Sequence, residues 1–164
     1  MQAEKQLLRR FHSALLESAP EDLHRAAGQY LSRDCLWHGP HPINATHGPE
    51  TFVRETWAPM AHSLVELERH EDILISGTWG CDNWVASIGH YHGRFHRDWL
   101  GIPATGNRVT LRYGEFARIE NETICEVRVL YDLVAFCRQC GIYLLPPDCG
   151  STATIPAPAT GNGV

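Results

Sequence analysis

The segment His90-Tyr91-His92-Gly93-Arg94-Phe95-His96 puts a histidine or arginine at every second position. Alternate residues of a strand share a face, so His90, His92, Arg94 and His96 are expected on one side and Tyr91 on the other. Histidine titrates nearest neutrality, and beside a carboxylate it can move a proton to or from a substrate. His-x-His on a strand is also a metal-ligand spacing. No third ligand accompanies it in sequence, since Glu115 and Glu126 are candidates by assumption only, and the expectation is a site without metal. The plain alternative is a solvated histidine cluster.

A second set of candidates closes the last apparent strand. Glu126, Arg128, Leu130 and Asp132 fall on one face, and Val127, Val129 and Tyr131 on the other. The valine and tyrosine side reads as packing. The charged side is either directed into a pocket, where ions must be paired or functional, or wet, with Glu126 and Arg128 as a surface ion pair. Trp37 and His38, in a His-Gly-Pro segment ahead of a helical stretch, could close one wall of a cavity with an aromatic ring and a hydrogen-bonding imidazole. Serine-hydrolase, nucleoside-triphosphate and dinucleotide motifs are missing, and the Gly101 to Gly106 loop runs on into Asn107-Arg108 without the Lys-Ser/Thr of a phosphate loop.

The elements that must position these residues follow from periodicity. With 164 residues, 43% hydrophobic and 20% charged, the chain fits one globular domain. Leu7, Leu8, Phe11 and Leu15 recur at helical spacing, Pro20 ends that run, and Leu23, Ala26, Ala27, Tyr30 and Leu31 continue as a second helix. A Gly/Pro loop leads to a third helix from Pro49 to about Leu64. Four strands are expected at 65–76, 83–95, 107–119 and 124–131, paired sequentially and antiparallel, with hairpin turns at 77–82 and at Asn121-Glu122. A short helix over 133–141 completes a domain of residues 1–145, and the Pro/Gly/Thr/Ala-rich stretch 146–164 reads as a loose tail.

The formal charge of −5 with scattered basic residues argues against nucleic acid as a partner. No apolar run approaches the length of a membrane span, and the first residues lack a signal-peptide pattern, so the expected location is cytoplasmic. The six cysteines then read as reduced thiols, and the Cys137-x-x-Cys140 pair lies late in a helix rather than at a strand-to-helix turn.

Gly89-x3-Gly93-x-Phe95, Gly101-Ile-Pro-Ala-Thr-Gly106, Phe116-x-Arg118-Ile119, Ile124-x-Glu126 and Asp132 followed by Arg138-Gln-Cys-Gly141 occur in that order. Together they resemble the SnoaL-like polyketide cyclase family of the nuclear transport factor 2 superfamily. The resemblance implies an α+β cone, a curved antiparallel sheet with amino-terminal helices on its concave face around a pocket. It also implies a carboxylate at the end of the last strand, here Asp132, as acid/base for an intramolecular aldol closure without metal or cofactor. His92 is the expected proton-handling partner; Arg128, Glu126, His90, Tyr91, His38 and Trp37 are the expected substrate-binding residues. Tyr91 stands where the family usually has histidine and Arg128 where it often has tryptophan, which favours a small or anionic carbonyl substrate over a flat aromatic one. The alternatives are a non-catalytic small-molecule-binding module and a His-x-His metal enzyme. One broad sheet face left uncovered predicts a homodimer.

Overall fold

In the computed structural model the structure describes residues 2–146; most of the expected tail, 147–164, lies outside the described residues. Helix α1 (Gln2–Glu17) and the short α2 (Leu23–Gly28) come first. Strands β1 (Leu31–His38) and β2 (Ala45–His47) follow, and then a helical run made of α3 (Gly48–Phe52), a π turn (Val53–Trp57) and α4 (Ala58–Ser63). The long strands are β3 (Leu64–Trp79), β4 (Asp82–Phe95), β5 (Arg108–Glu120) and β6 (Thr123–Tyr131), before α5 (Leu133–Gln139).

Among the described residues the sheet has six strands, in the order β2-β1-β6-β5-β4-β3. This corrects the expectation of four. The second helix stops at Gly28, three residues before the reading placed its end, and Leu31 opens β1, which pairs parallel to β6 through Trp37 opposite Val127 and His38 opposite Arg128. Its burial pattern is irregular, so period-2 alternation gives no signal there. The four long strands form the expected antiparallel meander. Asn121 and Glu122 turn β5 into β6 with positive φ at both positions (47° and 58°), which matches the right-handed twist of the flanking strands.

The helices lie on the concave face. Leu7, Leu8, Phe11 and Leu15 of α1 meet Val85, Leu111, Ala117 and Val127 of the sheet in one apolar core. Five cysteines (Cys35, Cys81, Cys125, Cys137 and Cys140) are free thiols, and burial pushes the Cys35 thiol up to about 12. Gly89 marks a close approach: a Cβ there would lie 2.0 Å from the His70 carbonyl oxygen and 2.8 Å from the Tyr113 hydroxyl. Gly89→Ala is therefore expected to cost about 1–3 kcal/mol as β3 and Tyr113 shift to make room, read as a lower urea midpoint at unchanged slope.

Candidate functional site

Alternation along the strands decides which side chains enter the concavity. On β5 the buried positions are Val109, Leu111, Tyr113, Glu115, Ala117 and Ile119, so Glu115 occupies a place in an otherwise apolar row apart from the Tyr113 hydroxyl. On β4 the inward row includes Val85, Ser87, Gly89 and Tyr91. Arg69 of β3 lies opposite Tyr91, and His12 interrupts the apolar stripe of α1.

These residues form one buried polar cluster. The Arg69 side chain crosses two strands: its guanidinium lies 4.4 Å from the Tyr113 ring centroid, donates to Ser87 Oγ at 2.9 Å and reaches Glu115 Oε2 at 3.2 Å. The other face of Glu115 meets His12 Nε2, 3.0 Å and 2.8 Å from its two oxygens. Toward the rim, Glu71 sits 3.7 Å from Arg69 and accepts from Arg9 at 2.6 Å. The side chains of His12, Glu115 and Arg69 are only 7%, 5% and 6% exposed, so each charge depends on its partner.

The protonation states follow from the surroundings. Burial would raise the Glu115 pKa, but the imidazole and guanidinium beside it outweigh that and hold it below the usual carboxylate range. Burial drives His12 below its usual value; Glu115 opposes this and Arg69 adds to it. An ionised carboxylate only accepts hydrogen bonds, so a neutral His12 carries its proton on Nε2 and leaves Nδ1 a bare lone pair. That Nδ1 is buried and has no hydrogen-bond partner among the described residues, and neither has Arg69 Nε. Burial also keeps the Tyr91 hydroxyl protonated far above neutrality.

A groove of about 650 Å³ opens between α1, α2, the π turn, α4 and the start of β3. Leu15 and Leu67 belong to its wall, one helical turn beyond His12 and two strand positions before Arg69. Trp57, also in the wall, meets Tyr91 edge-on at 6.3 Å between centroids. π turns inside helices are frequent at functional sites, and this one also buries the Thr56 hydroxyl, which has no partner among the described residues.

The expected site residues divide between two faces. Tyr91 and Trp37 point into the concavity, Trp37 packing on Phe52 at 5.8 Å. Because Tyr91 points in, His90 and His92 point out, and because Val127 and Val129 point in, Glu126 and Arg128 point out as well. Glu126 accepts from Arg128 Nε at 2.8 Å and lies 3.8 Å from His38 Nε2. Asp132 is the N-cap of α5 and accepts the Ala135 amide at 2.9 Å. Of the two readings left open for the charged strand face and the histidine row, strand parity favours the outward one: His92 and Arg128 lie on the outer face and do not join the buried cluster. His12, Arg69, Ser87 and Tyr113 were missed by motif and spacing, and Glu115 was weighed only as a metal ligand.

A bent six-stranded sheet holding helices in its concavity, with a buried polar cluster between them, defines an α+β cone fold. The chain belongs to the SnoaL-like polyketide cyclase family, whose model matches residues 6–140. No curated protein matches the chain. Among solved structures it is similar to TsrD from Streptomyces laurentii (TM-score 0.64, 21% identity, covering 83% of this chain and 96% of that one). It is also similar to a candidate SnoaL-like polyketide cyclase from Shewanella denitrificans (TM-score 0.67, 17% identity, covering 84% and 96%). A third is IdmH, a candidate polyketide cyclase from Streptomyces antibioticus (TM-score 0.63, 16% identity, covering 80% and 96%). At such identities the likeness is one of fold. Among the described residues no helix is long and apolar enough to cross a membrane.

Proposed function

We propose that the chain is an enzyme of cofactor-free proton transfer alpha to a carbonyl, acting on a small ester or polyketide-like substrate. One observation carries this reading: a bare imidazole nitrogen, His12 Nδ1, and a spare guanidinium donor, Arg69 Nε, are both buried without partners among the described residues, and both side chains grip the same carboxylate. A carbonyl compound supplies the missing partner to each. Nδ1 takes the α-proton, the C–H electron pair becomes the enolate, and Arg69 with the Tyr91 hydroxyl donates to the enolate oxygen. In an aldol closure the enolate carbon then bonds to a second carbonyl carbon of the same substrate. The imidazolium returns its proton to the new alkoxide. Glu115 stabilises the imidazolium and fixes the tautomer, in the manner of a carboxylate behind a catalytic histidine.

On this reading the base is His12 of α1, backed by Glu115 of β5, and Asp132 serves as a helix cap. The test is deuterium incorporation alpha to the carbonyl of small keto esters in heavy water, followed by proton NMR. Exchange well above the buffer rate supports an enzyme; saturable binding without exchange would make the chain a binding module of the same fold.

The partner we propose is a second copy on the outer sheet face. Ile75, Trp79, Phe116 and Leu130 stand 50–81% exposed there, around an apolar groove of about 610 Å³. Arg128 at the groove edge and Glu126 beside it offer opposite charges that a two-fold axis can cross-match. Sedimentation is expected to give a dimer, and Phe116→Glu a monomer; a wild type that stays monomeric at micromolar concentration removes the proposal.

A further inference from the structure

The outer face carries a second cluster that the acid/base chemistry does not use. His70 of β3 pairs directly with His90 of β4, and Glu68, two positions before His70, pairs with His92. The four side chains form a two-by-two array on one face of adjacent strands. The imidazole centroids are 5.3 Å (His70 to His90), 5.2 Å (His70 to His92) and 4.6 Å (His90 to His92) apart. A ring bound through one nitrogen at about 2.0–2.1 Å has its centroid about 3 Å from a zinc ion, so three rings on a tetrahedral ion sit about 5 Å apart. The third ligand that sequence spacing did not supply comes from the neighbouring strand.

The ring nitrogens are also oriented. His90 Nδ1 lies 3.3 Å from Asp72 Oδ2 and His92 Nδ1 lies 3.0 Å from the Thr110 hydroxyl, which leaves Nε2 of each ring outermost. A metal-bound histidine characteristically engages a carboxylate or other polar group through its second nitrogen. As the side chains stand, no three donor atoms among the described residues are already gathered for an ion. His70 Nε2 rests 3.5 Å from Glu68 Oε2 instead; His70 is half exposed, and its ring can turn about the soft χ2 torsion.

We propose that His70, His90 and His92 bind one divalent transition ion of the zinc type, with Glu68 or water as fourth ligand, at a site that clamps β3 to β4 and is independent of the concave cluster. The probe is cobalt(II), titrated into tag-free protein stripped with chelator, with zinc(II) added in competition. Expected are one ion per chain, a tetrahedral visible absorption band, and its loss when zinc is added. His70→Gln, at a half-exposed position, and His90→Gln, at a partly buried one on the outer face, are each expected to weaken binding at least tenfold, with metal-free melting close to wild type. Cys137→Ser/Cys140→Ser should leave it unchanged. Absence of saturable cobalt or zinc binding at micromolar concentrations, full affinity in both histidine variants, or loss of the band in the cysteine variant would each overturn the site. If one histidine variant fails to fold, the other reads the same question.

Discussion

His12→Gln is expected to lower the rate of α-proton exchange by about 10²–10⁴-fold, the usual contribution of a positioned general base, with little loss of stability. The glutamine amide can take the place of imidazole Nε2 and keep donating to Glu115, which His12 meets at 2.8 Å, while the lone pair at Nδ1 disappears. Glu115 thus stays satisfied, and a loss of rate cannot be put down to an unpaired buried carboxylate. Asp132→Asn is the decisive companion. Asparagine caps a helix as well as aspartate does, so the amide of Ala135 keeps its acceptor and only the acid function is removed. The dyad assignment expects that variant to retain most of the exchange. Full activity in His12→Gln together with its loss in Asp132→Asn would return the acid/base role to the end of β6, where the family resemblance implies it. Because His12 is held below the ordinary imidazole pKa, wild-type exchange should persist to lower pH than free imidazole would allow.

The fold was largely legible because the long strands and α1 obey their periods. It failed at β1 and β2, where an irregularly buried strand and a three-residue one lack alternation; β1 is fixed by pairing to β6 far along the chain and β2 by pairing to β1. The site was legible only in part, for a different reason. Motif and spacing draw attention to clustered histidines and end-of-strand carboxylates, and here those mostly face outward. The inward chemistry announces itself as single polar residues inside apolar rows: His12 in the stripe of Leu8, Phe11 and Leu15, and Glu115 between Leu111 and Ala117. A charged residue at an inward position is costly unless paired, so each such position demands a partner, and the demands of Arg69, Glu115 and His12 answer one another. Sequence can pose that demand. Only the register, which sets Arg69 opposite Tyr91 and Ser87 opposite Glu115, shows which residue meets it.

Arg69→Met is expected to destabilise the protein by about 3–5 kcal/mol at pH 8, because it leaves the Glu115 carboxylate buried without its cation. Against a typical total stability of about 5–15 kcal/mol, a loss of that size should be plain in a urea titration. The pH dependence is the more specific signature. In the wild type both His12 and Glu115 have folded pKa values below their unfolded ones. The unfolded chain therefore binds more protons, and stability falls as pH drops, first below the usual imidazole value and then through the carboxylate range. Without Arg69 one influence depressing the His12 pKa is gone while burial remains, so the folded pKa of His12 rises toward its unfolded value and less stability is lost as pH falls through the imidazole range. The gap between variant and wild type should accordingly shrink from pH 8 to pH 5.5, by up to about 1.4 kcal/mol per pH unit for the one proton involved. The other histidines are common to both proteins and cancel in that difference. A gap that stays constant with pH would mean that His12 does not titrate against Glu115, and the dyad would lose its claim to carry the proton.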